Sequence, residues 1–147
     1  MRVPLGLLVF VVALSAGAGG ASDLTREAAS DAATAFGRAL TAGRAGDLRP
    51  VLPRRGKVGL TLARLGPEDG AFGSSQVEAL FREFLARGAV ASFKILQCES
   101  DGKTAALAHA RAAVTDREGQ RTWVGIHLGF QPEDGRWVLR EVKETAE

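Results

Sequence analysis

The chain has 147 residues, and nineteen Lys and Arg against seventeen Asp and Glu leave a formal charge of only +2, too small an excess to imply a nucleic-acid partner. Its one cysteine, Cys98, excludes an intramolecular disulfide, and its two histidines stand apart from it in sequence, so no metal-ligand spacing is present. No metal and no cofactor is expected.

Met1 and Arg2 give a positive start, Leu5 to Leu14 is almost wholly apolar, and "SAGAGGAS" ends the stretch in small residues. This three-part pattern predicts a secretory signal peptide over 1–21, cut between residues 18 and 22. The apolar run falls short of the ~20 residues a membrane span needs. A secreted or periplasmic product without stable membrane insertion is therefore expected. Residues 22–147 then make a single domain, large enough for a real core.

From Asp23 to Ala42, Leu24, Ala28, Ala32, Ala35, Phe36, Ala39 and Leu40 recur at three and four, the period of a helix with one buried stripe. Ser22 or Asp23 is placed to cap it and Gly43 to end it. "GDLRPVL" reads as a short turn of helix, "KVGLTLARL" as a strand and "GPEDG" as a turn or hairpin tip. A second helix starts at Ser74 or Ser75, with Ser75 and Glu78 as a capping box, and stops at Gly88. Four strands follow, "SFKILQCE", "TAALAHARAAV", "RTWVGIHLGF" and "RWVLREVKE", as a hairpin-linked antiparallel meander.

Turn lengths set which residues share a face. Two-residue turns at Asp101-Gly102 and Glu118-Gly119 place Lys94 opposite His109 and His109 opposite Leu128. A five-residue loop over 131–135 places His127 opposite Leu139. One face then carries Lys94, His109, Arg111 and Arg140, together with Val124, Ile126 and Leu128. The other carries Trp123, Gly125, His127, Gly129, Trp137 and Leu139. The two histidines fall on opposite faces under these turns; an odd-length loop between their strands would exchange the pairing.

The order is α+β: a curved antiparallel meander wrapped around a long N-terminal helix and a second helix. The first helix running into "AGRAGDLRPVL", the "FGSSQVEALFREFLARG" helix, "SFKILQCES" and the closing "EDGRWVLREV" together resemble the cystatin-like cone of the nuclear transport factor 2-like superfamily. This superfamily includes ketosteroid isomerases and polyketide cyclases. The likeness is closest to small exported bacterial domains of unknown function, and it implies one sheet face closed by the helices and another open to a second subunit. Isomerase-like catalysis would need a carboxylate base working with a tyrosine and a protonated carboxylic acid. The chain has no tyrosine, and Glu99 and Glu141 sit at strand ends.

The expected function is an exported binding or assembly domain without catalytic activity. Its cone is expected to hold a small anionic or apolar ligand, with Lys94, His109, Arg111 and Arg140 as the anion's contacts. The alternative is an acid–base enzyme of the isomerase or cyclase type using His109. The face with Trp123, Gly125, His127, Gly129, Trp137 and Leu139 is expected to form a homodimer, because glycine inside a strand suits a close approach and tryptophan a contact anchor.

Overall fold

The computed structural model describes residues 25–63, 69–115 and 118–145. The predicted leader, its cleavage site and most of "GPEDG" lie outside these residues. Helix α1 spans Arg26–Ala42 and runs into a 3-10 helix over Ala45–Val51. Strands β1 (Val58–Thr61) and β2 (Gly70–Phe72) precede helix α2 (Ser74–Arg87). The meander follows as β3 (Ala89–Ser100), β4 (Ala106–Thr115), β5 (Arg121–Glu133) and β6 (Arg136–Thr145). The sheet has six strands in the order β2-β1-β6-β5-β4-β3. It is mixed, because β1 pairs parallel with β6, a contact no hairpin signal announces. Among the described residues no helix is long and apolar enough to cross a membrane.

Helix α1 is capped by Thr25, whose hydroxyl accepts the Ala28 N–H at 3.0 Å, rather than by Ser22 or Asp23. Gly43 closes it with φ 70°, the left-handed turn that glycine adopts without steric cost. At the start of α2 the expected Ser75–Glu78 box is absent. Gly73 is the N-cap, Gln76 Oε1 accepts the Gly73 N–H at 3.1 Å, and the Ser74 hydroxyl donates to the Pro53 carbonyl. Glu78 is thereby left for another task.

The helices cover one face of the sheet, and the space between is filled with side chains. Phe36, Phe81, Phe130, Leu40, Leu128 and Leu139 are all less than 2% exposed. Phe36 meets Phe81 and Phe93 edge-on, each ring centroid 5.7 Å away. Strand β4 turns Ala106, Ala108, Ala110 and Ala112 inward, and these small residues leave room for α1. Gly37, in the middle of α1, serves the same close approach: a Cβ there would lie 2.3 Å from Phe93 Cδ1. The cone interior is therefore a packed apolar core.

The turns differ from expectation in length, and this rearranges the faces. Ser100 pairs with Ala106, so the first loop has five residues, Asp101 to Ala105. It is held by the Asp101 carboxylate, which accepts N–H groups of Lys103, Thr104 and Ala105 at 2.8–3.0 Å and the Thr104 hydroxyl. These bonds keep that carboxyl well below the usual range. Thr115 pairs with Arg121, making the second loop five residues as well. Glu133 pairs with Arg136, so the last turn is the two-residue Asp134-Gly135. Both its residues have positive φ, 51° and 77°, as a type I′ turn requires.

Candidate functional site

Among the described residues, the buried charged groups are Glu78 and Glu133. Glu78, on α2, receives a two-pronged contact from Arg49 at 2.7 and 2.9 Å and a further one from Arg82. These bonds lower its pKa from the ordinary 4.5 to about 2. Glu133, at the end of β5, accepts the backbone N–H groups of Arg54 and Arg55 at 2.8 and 3.2 Å. Arg140 and Arg136 lie 3.5 and 3.6 Å from it. Its pKa is also lowered, chiefly by the Arg54 N–H. Both carboxylates are fully engaged in joining the 49–55 segment to α2 and the sheet, so neither is poised as a general base.

These two groups make stability pH-dependent. A carboxyl whose pKa is depressed by folding contributes stability above its unfolded pKa and loses it as pH falls through the folded value. The melting temperature is therefore expected to fall as pH drops from about 5 towards 2. Arg49 and Arg82 are largely exposed, so screening keeps the effect modest. In a Glu78→Gln variant the melting temperature should be lower at neutral pH and its fall with acid shallower. An unchanged acid slope would show that the Arg49–Glu78–Arg82 group is not linked to folding.

The basic run "RPVLPRRGK" is thus a structural knot. Arg136 donates to the Pro50 carbonyl and, at 3.3 Å, to that of Leu52, and Arg140 donates to the Arg55 carbonyl at 2.7 Å. A Cβ on Gly56 would meet Arg140 Nη1 at 2.9 Å, and its φ is 81°. Arg140 is the extra residue of a β-bulge, since Gly129 pairs with Glu141 and Phe130 with Leu139. The bulge changes the phase of β6, so Arg140 leaves the face of Lys94, His109 and Arg111. The expected four-residue anion cluster is therefore split.

The other three do share a face, but it is the outer one. Lys94 pairs with Arg111, and Arg111 with Gly125. In the next row Gln97 pairs with His109, His109 with His127, and His127 with Lys143. Beyond it, Glu99 pairs with Leu107, Leu107 with Gly129, and Gly129 with Glu141. The expectation that these cations stand inside the cone is corrected: the inward partners on the same strands are Ala108 and Ala110, Ile126 and Leu128. The outer placement follows from β4 itself, which turns its alanines to the helices; the five-residue loop after it, odd in length, then sets His127 beside His109 and puts Ile126 and Leu128 on the core side.

The expected dimer face divides in the same way. Trp123, Gly125, His127 and Gly129 belong to the outer face. Trp137 and Leu139 are 3% and 0% exposed and belong to the core, where Trp137 Nε1 donates to the Thr25 carbonyl at 3.2 Å. On the open side Leu107 is 56% and Trp123 39% exposed, and the Arg111 guanidinium lies 4.2 Å from the centre of the Trp123 ring, a cation–π contact. His109 and His127 meet with ring centroids 4.5 Å apart and line a shallow cavity of about 310 Å³ with Gln97, Glu99 and Leu107. Burial, His109 and Lys143 push the His127 pKa down. Cys98 is half-buried, and burial raises its thiol pKa.

No protein-family model and no curated protein matches the chain. Solved structures do match in fold. A DUF4783 family protein from Bacteroides uniformis is 14% identical, with a TM-score of 0.63, over 78% of this chain and 97% of that one. A candidate dehydratase of the NTF2-like family from Streptomyces avermitilis is 16% identical, with a TM-score of 0.60, over 82% and 95%. An LEH-like epoxide hydrolase from M. tuberculosis is 20% identical, with a TM-score of 0.57, over 80% and 76%. At these identities the likeness establishes the fold, the nuclear transport factor 2-like α+β cone with an open sheet.

Proposed function

We propose that this nuclear transport factor 2-like domain is an exported binding or assembly module without catalytic activity, and that it pairs with a second copy through the outer face of its sheet. The observation that carries the reading is the contrast between the two faces. The cone is filled by apolar side chains, and its two buried carboxylates are held by arginines and backbone N–H groups. The outer face presents Leu107 and Trp123 to solvent, with Gly129 directly opposite Leu107 and Gly125 opposite Arg111. Glycines within a strand are suited to close approach of a second surface, and an exposed tryptophan to anchoring it. A contact of this kind would be two-fold symmetric, each Trp123 meeting the same patch on its partner. The acid–base alternative built on His109 needs that imidazole inside the cone, and it stands on the other side of the sheet.

Light scattering on dilution tests the pairing. The wild type is expected to be a dimer when concentrated, and a Leu107→Glu, Trp123→Glu variant a folded monomer. A wild type that stays monomeric when concentrated would overturn the reading. Export is tested by N-terminal sequencing of the secreted protein, which should begin between residues 18 and 22; a cytosolic product starting at Met1 would contradict it.

A further inference from the structure

We propose that the His109–His127 pair is a two-imidazole binding site for a late first-row divalent cation, with Ni²⁺, Cu²⁺ and Zn²⁺ as the ions it fits. These are the only histidines in the chain, and the fold sets them directly opposite each other on β4 and β5. Directly opposed residues of an antiparallel pair have Cβ atoms only about 4.5–5.5 Å apart. The rings are already in contact, with centroids 4.5 Å apart and planes at 74°. The terminal torsion of histidine is broad, so a modest rotation aims one nitrogen of each ring at a common point about 2 Å away, the metal–nitrogen distance.

The lone pairs are free for this use. Among the described residues neither imidazole makes a hydrogen bond or an ion pair, and the two rings meet edge-on. The pair opens onto the shallow cavity, so an ion can reach it. Lys143, opposite His127, opposes a cation, and Glu141 in the adjoining row offsets it. Neutral imidazole suits these three ions, and the usual order of affinities makes Cu²⁺ the tightest.

Among the described residues no set of three or more His, Cys, Asp or Glu side chains can share an ion. The two imidazoles are then the protein's donors, and the remaining positions stay open to water or to a donor from outside. Because the pair lies within the face proposed for association, those open positions are turned towards the second copy. The chelate itself is complete in one chain and does not require the dimer.

The test is titration of the untagged chain with Ni²⁺ and Zn²⁺, followed by calorimetry and by thermal melting. One ion per chain should bind and raise the melting temperature, and a chelator should reverse the shift. His109→Ala and His127→Ala should each weaken binding by about a hundredfold or more, as expected when one arm of a bidentate contact is lost. Absence of binding, or binding kept in either single variant or in the double variant, would overturn the site. Light scattering on the same samples separates the two proposals. Binding by a monomer retains the site and rejects the pairing; a dimer that takes up no metal does the reverse.

Discussion

Phe36→Ala is expected to destabilise the domain by about 3–5 kcal/mol, the range found for removing a fully buried phenylalanine ring. The side chain is 0% exposed and touches Phe81 on α2 and Phe93 on β3. It is thus the point at which both helices and the sheet meet. The cavity it leaves is ringed by two aromatics that already make edge-on contacts, and Gly37 beside it admits Phe93 too closely to permit much inward movement of α1. A domain of this size has a total stability of about 5–15 kcal/mol, so the variant should be close to unfolding. Denaturant unfolding measures the loss. A change below about 1 kcal/mol, the ordinary range for substitutions outside the core, would mean that the helices do not pack on the sheet as described.

The two tryptophans should respond in opposite ways. Trp137→Ala removes an indole that is 3% exposed and its hydrogen bond to the Thr25 carbonyl, and should lose about 3–5 kcal/mol. Trp123→Ala removes an indole that is 39% exposed and stacked with Arg111. In the monomer this should cost no more than about 1 kcal/mol, the worth of an exposed cation–π contact. Its main effect should appear in association. Thermal or denaturant melting of dilute samples makes the comparison. Equal losses at the two positions would contradict the assignment of the sheet's two sides.

The helices and the four meander strands were legible because their signals are local: the period of apolar residues in α1, the glycine at position 43, and the alternation along the meander; the short β2 and the parallel pairing of β1 with β6 carry no such signal. The faces were not, because each depends on the parity of a loop. "SDGK" has the form of a two-residue hairpin, yet Asp101 draws three successive N–H groups onto its carboxylate and makes a five-residue loop. The sequence signal that was available lay at Asp134-Gly135, the dipeptide typical of a type I′ turn, which a two-residue reading would have placed correctly. The bulge at Arg140 has no such marker. Nor does the capture of Glu78 by Arg49, because the two are 29 residues apart in the chain. The candidate site was legible in part: Lys94, His109 and Arg111 do share a face. That His127 joins them follows only from the odd loop after β4.

The association of the outer face is tested most directly at Trp123 itself. In a Trp137→Phe variant, Trp123 is the only tryptophan left, and its fluorescence reports on that face alone. Acrylamide quenching should be strong in dilute solution and become weak as the chain is concentrated, because a second copy covers the indole. If quenching is equally strong at every concentration while the chain stays folded, the outer face is not an association surface.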